Sequence, residues 1–104
     1  LSVALGASYL LKLDTEPIHN PMSLAITGHV AMLQPRVGEL SNWKGCAFAN
    51  SARNAVFATY LAQAGMTGPR EVIEGEMGFM AQVGGRFEWP TLLTDGQWMI
   101  GRTY

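Results

Sequence analysis

Lys44 is one of only two lysines in the chain, the other being Lys12, and it sits where an apolar, alanine-rich helix begins. A bound anion needs positive charge to offset its desolvation. A helix N-terminus adds unpaired N–H donors and the positive end of the helix dipole. That combination makes Lys44 the leading candidate for binding an anionic group. Ser41 and Asn42 precede it; both types cap helices by default, and the same helix end could place either side chain beside a bound anion. The plain alternative is a lysine that snorkels along the helix start.

His29 lies among Thr27, Gly28, Val30 and Ala31. Histidine is the usual general base near neutral pH, so His29 is the candidate catalytic group, although a lone histidine on an apolar helix is more often structural. His19 falls in the stretch between Pro17 and Pro21. Neither histidine has metal-ligand spacing with a carboxylate or thiol. The single cysteine, Cys46, cannot form an internal disulfide or a Cys-rich metal site. These spacings offer no metal site.

Arg36 and Arg53 have the guanidinium geometry for bidentate carboxylate binding. Arg53 follows Lys44 by about two and a half helical turns, which puts the two on different faces. It is expected to tie helices together or to meet an acid such as Glu74. Glu71, Glu74, Glu76 and Glu88 have no spacing that fixes a paired-acid site and read as solvated or salt-bridged. No GxGxxG or Walker pattern is present, so the glycines cradle no phosphate.

Helices must position these groups. Residues 1–13 read as a helix, with Val3, Ala7, Leu10 and Leu11 at helical spacing. Gly6, with Ala4 and Ala7, would give a flat patch for close helix approach. Residues 14–17 look like a restart, and a second helix is expected over about 21–33, capped by Asn20 with Pro21 in its first turn. Pro35 and Gly38 mark 34–40 as a loop. Ser41 or Asn42 then caps the clearest helix, about 43–64. Gly65 stands at its C-terminal stop and Pro69 follows. Its many alanines suit a central helix packed on several sides. A short helix is expected over 69–74. Residues 87–93 should be irregular, and 97–100 should form a strand after the Asp95-Gly96 turn signal. Met66, Met77, Met80 and Met99, with Trp89 and Trp98, could form a sticky binding surface, but read more simply as core residues whose partners lie elsewhere.

The chain has 104 residues, 48% apolar and only 14% charged. That is one domain at most, with less charge than a small free-standing surface normally carries. The deficit suggests cover by further chain or by a partner subunit. Net charge is −1, so no basic field exists for nucleic acid. The apolar opening run lacks a basic start and is too short to span a bilayer; cytoplasm is the default location. Both ends, at Leu1 and Tyr104, look cut from something longer.

The string Ser41-Asn42-Trp43-Lys44-Gly45-Cys46-Ala47, then Asn50 and Ala52-Arg53-Asn54-Ala55-Val56-Phe57-Ala58, resembles the Lys-containing central helix of the MmgE/PrpD family. The resemblance runs on through Leu61-Ala62, Gly65-Met66-Thr67-Gly68-Pro69 and Glu74-Gly75 to Gly78-Phe79. Residues 1–40 fit the preceding region more loosely. The resemblance implies a mainly α fold. Residues 1–85 would be inner helices of a large all-helical domain, and 86–104 an irregular or strand segment at the crossing to a smaller lid. It also implies a lyase acting on a small hydroxy-polycarboxylate, a 2-methylcitrate dehydratase or a related decarboxylase or epimerase, without metal or cofactor and often a homodimer. Lys44 matches the family's carboxylate-binding lysine. The family's acidic and histidine groups lie in segments that this chain does not show. The chain is thus expected to be an inactive piece by itself, dependent on the remainder of its parent; a non-catalytic helical scaffold is the alternative.

Overall fold

The computed structural model describes residues 1–14, 18–32 and 34–89. Three α-helices carry the fold: α1 (Ser2–Leu10), α2 (His19–Gly28) and α3 (Trp43–Gln63). No strand occurs among the described residues. The fold is mainly helical, as the sequence indicates.

α3 is the organiser, with α1 and α2 both packed against it. Alanine runs through it and favours helix. Its end is fixed by Gly65 at φ 95°. The Gly65 N–H donates to the Ala62 carbonyl and the Met66 N–H to the Leu61 carbonyl, both at 2.9 Å, which together form a Schellman stop. α1 ends in the same pattern, with Lys12 N–H on the Tyr9 carbonyl and Leu13 N–H on the Ser8 carbonyl. Here the left-handed position, φ 53°, is held by Lys12 instead of glycine. α1 therefore stops at Leu10, short of the expected residue 13.

The core is made of small side chains. Ala4, Ala55, Ala58 and Ala62 are its buried apolar members, and Ser8, Ser23 and Thr59 are buried with them. Ser8 Oγ donates to the Ala4 carbonyl at 2.8 Å and Thr59 Oγ1 to the Ala55 carbonyl at 2.9 Å. The Ser8 and Thr59 hydroxyls are thus satisfied within their own helices, and the backbones can approach closely. Ala4 and Ser8 make the α1 contact face. Gly6 faces open space, and Leu10 is exposed. Among the described residues, α1 and α2 cover one side of α3. Phe48, Phe57 and Tyr60 all remain exposed.

α2 starts two residues earlier than expected and stops at Gly28, not at about residue 33. Asn20 is no cap. It lies inside the helix, where its Oδ1 accepts the Gly68 N–H at 3.0 Å. Ser23 Oγ donates to the Pro69 carbonyl. These two bonds hold the turn after α3 against α2. Pro21 is tolerated because the first-turn N–H groups have no helical partner in any case. The connection to α3 includes a 3-10 turn, Gln34–Arg36.

The expected helix over 69–74 does not form. Residues 70–77 make successive turns, in which Phe79 N–H reaches back to the Val72 carbonyl and Met80 N–H to the Ile73 carbonyl. Added Cβ atoms at Gly75 and Gly78 would meet backbone carbonyls at 2.5 and 2.8 Å, so this fold-back depends on glycine. A π-helical turn, Met80–Gly84, follows. Residues 87–89 are irregular as expected, with Phe87 and Trp89 edge-to-face at 5.4 Å. The expected strand at 97–100 lies outside the described residues, as do Thr15 to Pro17.

Candidate functional site

The N-terminal end of α3 presents Ser41, Asn42 and Lys44, all exposed. Asn42 occupies the cap position but makes no side-chain cap hydrogen bond. Its backbone is already helical, φ −57° and ψ −22°. A capping side chain needs the extended backbone that lets its oxygen turn back on the first N–H groups. Backbone carbonyls take over part of that role: Ser41 accepts from the Lys44 N–H at 3.1 Å and Asn42 from the Gly45 N–H at 3.2 Å. The sequence thus marks the right boundary and the wrong mode of capping. The Asn42 side chain is spared from capping, two residues before Lys44 at the positive end of a 21-residue helix.

His29 is not inside a helix. It is the residue at which α2 ends, in extended conformation with φ −150° and ψ 98°. It lines a cleft of about 420 Å³ with Ile73, Phe79, Phe87 and Trp89. A neighbouring cleft of about 400 Å³ lies between Thr27, Glu71 and Phe79. A third, about 1000 Å³, is bordered by Glu74, Glu76, Arg86 and Glu88. None of the three is lined by Ser41, Asn42 or Lys44. Among these clefts His29 lines one and Lys44 lines none. His19 is the first residue of α2 and is exposed.

Arg53 does not meet Glu74. Its Nη2 donates to Asn50 Oδ1 at 2.8 Å and to Asn54 Oδ1 at 3.3 Å on its own helix. Glu74 instead accepts from Trp89 Nε1 at 2.8 Å. Because α3 is continuous from Trp43 to Gln63, Lys44 and Arg53 point to opposite sides, as the spacing requires. Arg36 is exposed in the 3-10 turn. Cys46 is a free, exposed thiol. Among the described residues no three His, Cys, Asp or Glu side chains gather to hold a metal ion, and no helix is long and apolar enough to cross a membrane.

The aromatic-walled cleft at His29 was not read from sequence. Its walls come from the end of α2 and from residues 73–89, which only the glycine-dependent fold-back brings together. The pair Asn20 and Ser23, one turn apart on α2 and opposite a Gly-Pro turn, was the signal that could have located that packing.

No solved structure matches the chain. The model of the MmgE/PrpD N-terminal domain matches residues 1–92, which take in α1 to α3 and the fold-back after them. On that match and on its helical architecture, the chain belongs to the MmgE/PrpD family, which includes dehydratases.

Proposed function

We propose that this chain serves a lyase that dehydrates a small hydroxy-polycarboxylate, 2-methylcitrate or a close analogue, and that Lys44 binds one of its carboxylates. The family match supports the reaction class. The single observation that carries the residue assignment is the exposed Lys44 ammonium in the first turn of α3, next to Ser41 and Asn42.

Dehydration breaks a C–H bond beside a carboxylate and a C–O bond on the neighbouring carbon. The base keeps the proton, the electron pair becomes the C=C bond, and the hydroxide leaves with a proton from an acid. Charge builds on the carboxylate next to the carbon that loses its proton. A fixed ammonium aided by helix N–H groups stabilises that charge where it develops. His29 lines a cleft that Lys44 does not line, so the base and the acid are assigned to parts of the protein other than these residues. The protein is proposed to act in the cytoplasm, as a homodimer. A decarboxylase or epimerase would use Lys44 in the same way.

The test is steady-state kinetics of the complete natural polypeptide on 2-methylcitrate, with Lys44→Ala beside it. Turnover that falls in the variant at unchanged melting temperature supports the reading. Equal kinetics in the two proteins removes Lys44 from the site. A second reading, a non-catalytic scaffold, is favoured by Tyr9 and Leu10, which are 83% and 79% exposed on α1. It predicts no turnover at all.

A further inference from the structure

Residues 44, 48, 51, 55, 58 and 62 recur along α3 at steps of four and three, which places them on one side of the helix. The C-terminal half of this stripe is core: Ala55, Ala58 and Ala62 are no more than 7% exposed. The N-terminal half, Lys44, Phe48 and Ser51, is exposed, and Phe48 is 76% exposed. The helix does not break between the halves. An aromatic ring therefore stands one turn from the Lys44 ammonium, on the same side, at a spacing of about 5–6 Å between Cβ atoms.

The charge pattern says what fits there. Between Glu39 and Glu71 the sequence has no Asp or Glu, while α3 carries Lys44 and Arg53. A ligand seated there would meet the Lys44 ammonium and the Phe48 ring one turn apart, which suits a negative charge with an apolar group a few bonds away. A polycarboxylate with a short alkyl branch has that form. We infer that Phe48 is a specificity-determining residue of the Lys44 site, covering the alkyl branch of a substrate whose carboxylate Lys44 holds. This rests on the lyase reading above, because it takes the Lys44 end of α3 as the substrate site.

A hydrophobic contact with one methyl group discriminates substrates by about tenfold or somewhat more. The experiment compares kcat/KM for 2-methylcitrate and for citrate, with the melting temperature, in the complete natural polypeptide and in Phe48→Ala, Phe48→Trp and Lys44→Ala. Phe48→Ala should lower the preference for 2-methylcitrate about tenfold by removing the contact. Phe48→Trp should lower it by crowding the methyl group out, so either variant that folds decides the matter. Lys44→Ala should depress both substrates together. If the Phe48 variants lose rate equally on both substrates, or lose none, the ring does not read the branch, and the inference falls while the Lys44 assignment stands. If Lys44→Ala changes nothing, or the parent protein dehydrates neither substrate, the lyase reading fails and takes the inference with it.

Discussion

The Gly68 N–H donates to Asn20 Oδ1 at 3.0 Å, across 48 residues of sequence. This bond ties the start of α2 to the turn that leaves α3, and it leaves no room for a side chain at the turn. A Cβ on Gly68 would lie 2.7 Å from Ser23 Oγ, 2.8 Å from Ser23 Cβ and 3.2 Å from the Leu24 nitrogen. Gly68→Ala should therefore cost about 1–3 kcal/mol, the usual penalty for overpacking. Urea denaturation measures it. Wild-type stability in this variant would mean that the turn moves away from α2 without loss.

Two helix ends of the same geometry carry different residues, so substitutions there should have opposite signs. Gly65→Ala puts a Cβ on a backbone at φ 95° and should destabilise by about 1 kcal/mol. Lys12→Gly relieves a side chain at φ 53° and should stabilise by about 0.5 kcal/mol, once the greater freedom of glycine in the unfolded chain is subtracted. Paired thermal melts check both signs.

Ala58 is 5% exposed on the covered face of α3. Ala58→Leu adds three carbons where neighbouring backbones meet and should cost about 1–3 kcal/mol or more. Substitution at exposed Ala49, nine residues earlier on the helix, should stay within about 0.5 kcal/mol. Denaturation midpoints that fail to separate the two positions would contradict the packing of α1 and α2 on this face.

Lys44→Ala should leave the melting temperature within a degree or two, because the side chain is exposed. A charge-assisted hydrogen bond contributes about 1.5–3 kcal/mol, so kcat/KM should fall about tenfold to a hundredfold. Lys44→Arg should recover part of the loss if charge is what matters. Kinetics and melting on one preparation separate loss of binding from loss of fold.

Much was legible in the sequence because it is local. The span of α3 follows from its alanines, and its end from Gly65, since only glycine takes a left-handed backbone without a Cβ penalty. The opposite directions of Lys44 and Arg53 follow from 3.6 residues per turn. The string around Lys44 resembled one family, and the match over residues 1–92 shows it. The proposal that the Lys44 end of α3 binds substrate rests on that string.

What tertiary structure decided is where local preference met long-range partners. Asn20 is a good cap by type, yet Gly68 claims its oxygen from the far end of α3. Glu74 was free to meet Arg53 by charge, yet it bonds Trp89, and Arg53 settles on Asn50 and Asn54. Lys12 takes a left-handed backbone that costs about 1 kcal/mol for its type, within the local bonds that close α1 on the Tyr9 and Ser8 carbonyls. Which side of α3 is covered was also beyond its own sequence. A helix small on most faces can accept neighbours anywhere, and only the packing of α1 and α2 selects Ala55, Ala58 and Ala62 for the core while Phe48, on the same stripe, stays open.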